Sequence, residues 1–285
     1  MTLREKHEQH QFTITVELDP PKSSSAQKTF DEAKRLQGKI DAINIADSPM
    51  SNMRMSPIAL SHLLQSQSNV ETIFHLTCRD RNIIGLQSEL LGAAALGVHN
   101  ILTLTGDQPT NGDHPQAKAV FEVDSMGLLH IASSLNNGHD LAGNPLDAPT
   151  NFYIGTTGNP CADDLVAEKE KIKKKIDNGA QFIQTQPIYD LEKAKRFIDS
   201  MSSLNIPIML GLIPLKSYKM ATYLDTKVPG ITISKSILER IKIGGKAAGL
   251  EVAIETLQEI KKIAHGVHIM PLNDIDTVLH LIDNV

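Results

Sequence analysis

Short runs of apolar, strand-forming residues alternate with amphipathic helical stretches along almost the whole chain, and that alternation limits the fold more than any other feature. The candidate strands are residues 12–18, 42–47, 71–78, 100–107, 151–156, 182–186, 207–213 and 267–272. Helical patterns fall at 27–37, 57–65, 83–96, 126–136, 163–178, 191–204 and 250–264. The buried parts of the strands are nearly continuous in apolar residues, as parallel strands covered on both faces must be. Eight such units predict an α/β chain folded as a (β/α)8 TIM barrel rather than a doubly wound sheet, which needs fewer. The 285 residues suit one barrel of about 250 residues, and no linker-like or low-complexity stretch divides them. Residues 1–11 read as a polar N-terminal lead-in, and 12–285 as a single domain.

Composition removes several classes of function. Lys and Arg number 28 against 33 Asp and Glu, a net charge of −5, so the basic footprint of a nucleic-acid binder is missing. Aromatics are 4% and Trp is absent, which leaves few platforms for stacking bases. Two cysteines, Cys78 and Cys161, make neither a disulfide framework nor a cysteine-rich zinc site, and suit a reducing cytoplasm. The longest apolar stretch, around 206–215, is far short of the ~20 residues of a membrane span. The first dozen residues hold no apolar signal-peptide core.

The informative pattern lies where the strands stop. Successive strands end on Glu17, Asp47, the run His75 to Asp80, Thr105-Gly106-Asp107, the run Thr156 to Asn159, Gln184-Thr185-Gln186 and Asn273. One polar strand end is ordinarily a loop start or a helix N-cap, but recurrence over strand after strand gathers polar groups at one rim, where barrels hold their active sites. The long connection 108–121 follows a strand and so lies on that rim, whereas 137–150 precedes one and reads as structural.

Glu17, in VELDPP, would have its pKa raised if apolar neighbours surround it and could then act as a general acid; pairing with a rim cation such as Arg79 is an equal alternative. Gly106 lets a flat ligand approach the backbone, and the Asp107 carboxylate would bias the charge of what rests there; the alternative is an Asx turn opening the loop. The EKEKIKKK helix is mostly a solvated face, with a Glu170–Lys174 pair, although one or two of its lysines can reach a phosphate. No metal site emerges: His7 and His10 lie in the lead-in, and His265 and His268 flank a strand start at the wrong barrel face. Dinucleotide-binding and P-loop glycine patterns and the G-x-S-x-G elbow are absent; the glycines from Gly244 to Gly249 have the wrong spacing, and Lys216 lies in a loop rather than on a strand.

Five segments in register, VELDPPKS, FHLTCRDRN, LTLTGDQP, GNP before the lysine-rich helix, and QTQPIYD, resemble the methylenetetrahydrofolate reductase family. The likeness is nearest to the reductase half of bacterial fusions with a homocysteine methyltransferase, and runs from Phe12 to the end. It implies a flavin-dependent barrel that reduces 5,10-methylenetetrahydrofolate to 5-methyltetrahydrofolate by hydride transfer from flavin N5 to a 5-iminium species. It implies FAD ahead of FMN, and NADH or NADPH as electron donor. By the same resemblance Glu17 is the general acid that protonates N10, and Asp107 is the carboxylate beside flavin and pterin. Gln186 would bind the pterin, Tyr218 would stack on nicotinamide or folate, and Asp47, His75, Thr105 and Gly106 would contact the flavin. Asn159, Ala162, Glu168, Lys174 and Lys175 would lie near its diphosphate. The family's better-known form has Arg where Thr105 stands, His where Asn159 stands, and Thr-Tyr in place of Ala46-Asp47. The alternative is a flavin- or folate-binding subunit active only with a separate methyltransferase or electron-donor partner; a homo-oligomer is also compatible.

Overall fold

The computed structural model describes residues 1–228 and 230–284. Eight parallel strands, β1 (Thr13–Leu18), β2 (Ala42–Ile45), β3 (Glu71–Thr77), β4 (Asn100–Leu104), β5 (Tyr153–Gly158), β6 (Phe182–Pro187), β7 (Ile208–Leu212) and β8 (Gly266–Ile269), close in chain order into a barrel. The helices between them are α2 (Gln27–Leu36), α3 (Pro57–Ser68), α4 (Ile83–Ala95), α5 (Ser125–Asn136), α6 (Leu165–Asp177), α7 (Leu191–Met201), α8 (Tyr218–Lys227) and α9 (Lys235–Ile263), with α10 (Ile275–Asp283) after β8. Their apolar stripes pack on the outward side chains of the strands, among them Ile43, Phe74, Ile101, Ile154 and Ile183. Short polar side chains start several helices: Asp124 accepts from Met126 N and Gly127 N, and Asp164 accepts from Val166 N and Ala167 N.

Among the described residues, four α-helical pieces were not foreseen. The first, α1 (Leu3–Glu8), lies inside the expected polar lead-in, with a Thr2–Glu5 capping box at its start. Its Leu3 and His7 are buried beneath the barrel. The others are α8, α10 and the first half of α9, which bends at Gly245. On α6, Lys173 pairs with Asp177 at 3.2 Å, in place of the expected Glu170–Lys174 pair.

Strand side chains alternate sides, so every second residue enters the barrel. The lowest inward layer is apolar: Ala42, Ile73, Leu102, Tyr153, Phe182 and Met209 pack with Leu3 of α1. Tyr153 and Phe182 stack at 4.8 Å between centroids. The room for the Phe182 ring comes from Gly155, where a Cβ would fall 2.3 Å from the ring. His7 closes this floor, its Nδ1 2.8 Å from Tyr153 Oη and its Nε2 2.9 Å from Thr13 Oγ1. Burial is the main cause that lowers the His7 pKa to about 4, so the ring is neutral in the folded protein at pH 7.

Candidate active site

Two residues further along the strands, the inward layer turns polar. Asn44 Nδ2 donates to His75 Nε2 at 2.9 Å and to Gln184 Oε1 at 2.7 Å. Gln184 Nε2 donates to Asn44 Oδ1 at 3.3 Å and to Thr15 Oγ1 at 3.5 Å. Thr15 Oγ1 in turn lies 3.1 Å from His268 Nδ1. All five side chains are buried, on five different strands, and each is hydrogen-bonded to at least one other, which is what makes such a layer tolerable inside a barrel. Because Asn44 donates to Nε2 of His75, the ring carries its proton on Nδ1 when neutral. Burial above all lowers the His75 pKa, to about 4, so the neutral form prevails.

The next inward positions line an open cleft of about 520 Å³ at the C-terminal ends of the strands. Glu17, Thr77, Gly106, Thr157, Gln186 and Met270 come from six strand ends. Glu17 Oε2 faces His268 Nε2 at 3.6 Å. Burial pushes the Glu17 carboxyl up, but the contact and charge of His268, helped by His75, outweigh it and hold the pKa below the ordinary value. The upward shift expected from apolar neighbours is therefore reversed. The expected partner Arg79 is also replaced, because His268 enters the barrel beside Glu17 instead of facing the opposite end. In register, His268 pairs with Thr15, one inward step below Glu17.

Arg79 is committed elsewhere. Its guanidinium bonds both oxygens of Asp80, at 2.9 and 2.7 Å, and reaches Ser48 O at 3.2 Å and Ser51 Oγ at 3.3 Å. Burial disfavours its charge, but Asp80, Asp47 and Asp107 together raise its pKa. These bonds hold the loop after β2, where Ser48, Met50 and Ser51 all adopt left-handed backbone angles. Ser51 Oγ also donates to Asp107 O at 3.0 Å, which ties this loop to the end of β4.

Of the residues singled out in the sequence, Glu17, Asp47, His75, Thr105, Gly106, Asp107 and Gln186 meet in the cleft. Asp47 Oδ2 is engaged by Thr77 N at 2.9 Å, Thr77 Oγ1 at 2.8 Å and Arg81 Nη1 at 2.9 Å, so this oxygen clamps β3. Gly106 is required for an internal reason. Its φ is +97°, and a Cβ there would lie 2.9 Å from Thr77 Cβ and 3.2 Å from Arg79 Cβ. Thr105 Oγ1 accepts from Ser125 N, at the start of α5.

A second group sits behind β5. Lys175 is buried, with Nζ 2.7 Å from Thr157 O; its pKa is lowered to about 8, chiefly by burial. Glu168 accepts from Asn159 N at 2.9 Å, and Ala162 N donates to Asn159 O. Lys174 faces solvent on α6. Tyr218 begins α8 outside the cleft, with Lys242 Nζ 5.8 Å from its ring centre.

The sequence reading passed over Asn44, Thr15, Gln184 as a buried bridge, and His268. Their signal is a lone polar side chain at an inward position of an apolar strand, as in AINI and GVHI. Chemically, the cleft joins an acid with a histidine partner to a facing carboxylate, Asp107, and an amide, Gln186. Leu102, Leu104, Pro187 and Met270 supply apolar walls, and Thr105, His75 and Gln186 a polar edge, the combination that a flat heteroaromatic ring requires.

Comparison with known proteins agrees with this geometry. The family model for methylenetetrahydrofolate reductase matches residues 2–285. Methylenetetrahydrofolate reductase (NADH) 1 of Arabidopsis thaliana is 28% identical over 281 residues, which are 93% of this chain and 47% of the relative. Methylenetetrahydrofolate reductase 1 of Schizosaccharomyces pombe is 25% identical over 276 residues, covering 90% of this chain and 42% of the relative. The chain thus spans just under half the length of these curated relatives. Among solved structures, a Clostridium thermocellum protein described as binding two copies of 5-methyl-5,6,7,8-tetrahydrofolic acid superposes with a TM-score of 0.67 and 17% identity. The match covers 99% of this chain and 96% of that one, a likeness of fold.

Proposed function

The chain belongs to the methylenetetrahydrofolate reductase family, and from that premise we propose that it reduces 5,10-methylenetetrahydrofolate to 5-methyltetrahydrofolate in a single barrel domain, with α1 as part of it rather than a lead-in ahead of residue 12. The observation that carries the proposal is the Glu17–His268 contact, which opens into the same cleft as Asp107 and Gln186. A bound flavin would supply the hydride, taken from NADH or NADPH. The apolar walls and the polar edge fit its ring system, with His75, Thr105, Gly106 and the Asp47 corner at its border. FAD is the proposed form, and Asn159, Ala162, Glu168, Lys174 and Lys175 would lie along its diphosphate. Lys175 Nζ is anchored on the Thr157 carbonyl, and its other N–H donors would be the ones to meet a phosphate.

Glu17 delivers a proton to N10 of the folate, so that the carbon–N10 bond breaks with its electron pair going to nitrogen. Asp107 stabilises the positive charge that develops on the N5 iminium. Gln186 orients the pterin; its amide rests against the turn at Gly230, where a Cβ would lie 2.1 Å from Gln186 Oε1. Tyr218, at the head of α8, is the proposed stacking partner for nicotinamide or folate. Anaerobic absorbance tests the proposal: the protein should take up FAD, bleach with NADH or NADPH, and regain its colour on adding methylenetetrahydrofolate. A protein that takes up neither FAD nor FMN would end the proposal.

A further inference from the structure

A carboxylate held below its ordinary pKa is a poor acid by itself, yet the proposed reaction draws a proton from Glu17. The group that keeps Glu17 ionised is the one placed to resupply it. His268 Nε2 faces Glu17 Oε2 at 3.6 Å, and its other nitrogen, Nδ1, lies 3.1 Å from the hydroxyl of Thr15. That hydroxyl already accepts from Gln184 Nε2 at 3.5 Å, and it can either donate to Nδ1 or accept from it. Either tautomer of His268, and its protonated form, therefore finds a partner in the buried layer, so a proton can leave or join Nε2 without stranding a polar group. The other ionisable groups around Glu17 do not offer this. His75 on β3 is held neutral and has its Nε2 engaged by Asn44. Asp19, beyond the end of β1, has its pKa raised, mainly by burial and then by the charge of Glu17, with Arg54 opposing. Asp47, just after β2, is tied to Thr77 and Arg81, and Asp107 follows the end of β4. On β6 the facing groups are the neutral amides of Gln184 and Gln186, and β7 presents Met209.

We propose that His268 is the positioning residue of the Glu17 acid: it stores the proton on Nε2, passes it through the Glu17 carboxyl to the substrate amine, and is itself held by Thr15 and Gln184. The transfer balances. The His268 Nε2–H bond breaks as the Glu17 O–H bond forms, that bond breaks as N10–H forms, and neutral His268 takes its next proton from water in the cleft. The inference rests on the proposed folate reduction, but its first readout does not.

In His268→Gln, the side-chain carboxyl of Glu17, followed by carbon-13 NMR across pH, should titrate at a higher pH than in the wild type. His268→Asn, of smaller volume, guards against misfolding of one variant. Reoxidation of the reduced protein by methylenetetrahydrofolate should slow at least tenfold in both variants and change its pH dependence, and should slow more than reduction by the nicotinamide. A Glu17 titration unmoved in both variants would overturn the inference, as would a folate step within twofold of wild type at every pH. A wild type that binds flavin but never reduces the folate would remove the proposed function, while the Glu17 titration would still decide the coupling.

Discussion

Two successive layers of one barrel interior, two residues apart along each strand, have opposite chemistry. The floor, built from Ile73, Tyr153, Phe182 and Met209 and covered by α1, is apolar and buried. The layer above it holds Thr15, Asn44, His75, Gln184 and His268 in one hydrogen-bonded chain beneath the open cleft. The floor contributes burial. The polar layer contributes little net stability, because its hydrogen bonds replace bonds to water, but it fixes where Glu17 and His75 point. The barrel separates the two tasks by height, with stability at the N-terminal ends of the strands and chemistry at the C-terminal ends.

Substitutions can break or sharpen that contrast. Phe182→Ala should lower unfolding stability the most, by about 3–5 kcal/mol, because the cavity would sit between Tyr153 and His7. Urea denaturation would register it; a loss below about 1 kcal/mol would mean that the floor is not the anchor. In the polar layer, Gln184→Ala removes the partner of Asn44 Oδ1 and one of the two bonds of Thr15 Oγ1, and should cost about 1–3 kcal/mol. Gln184→Leu, which fills the space but bonds nothing, would not recover that loss if hydrogen bonding is what matters there.

Acid should act on the floor through His7. Its folded pKa of about 4 lies below the ordinary 6.5, so on acidification the unfolded chain takes up the proton first. The stability this ring confers is complete above pH 6.5 and is lost as pH falls toward 4, on the order of 2 kcal/mol by pH 5. His75 is lowered to about 4 as well and adds to the loss in the same window. Denaturation midpoints at pH 7 and pH 5 should converge in His7→Gln relative to wild type; an unchanged gap would contradict the assignment to His7. Gly106→Ala should have the smallest effect, roughly 1 kcal/mol or somewhat more from the left-handed φ and the contact with Thr77. It should also weaken flavin uptake, measured by fluorescence quenching, more than it lowers the melting temperature.

The eight strands were legible because an apolar run bounded by turn residues reads the same whatever its neighbours are. The cleft was legible in part, since Glu17, Asp107 and Gln186 stand at strand ends where period-two alternation turns them inward. What escaped was the layer below. Asn44 and Gln184 are single polar residues within apolar strands, and only closure of the barrel brings them within 2.7 Å of each other. His268 was assigned to the wrong end because β8 is four residues long and the stagger of a barrel is not written in one strand. Glu17 shows the consequence: local sequence supplied the apolar neighbours that raise a pKa, and the fold supplied the histidine that lowers it. The α1 helix was missed because its polar outer face dominates a six-residue segment in which only Leu3 and His7 turn inward.

The most direct test of the account compares two half-reactions in Glu17→Gln, with the fully reduced and fully oxidised wild type as references. The account predicts that this variant still accepts electrons from NADH or NADPH, whereas its reoxidation by methylenetetrahydrofolate slows by about 10²-fold or more, the range for loss of a general acid. Equal slowing of both half-reactions, or folate reduction at the wild-type rate, would contradict it.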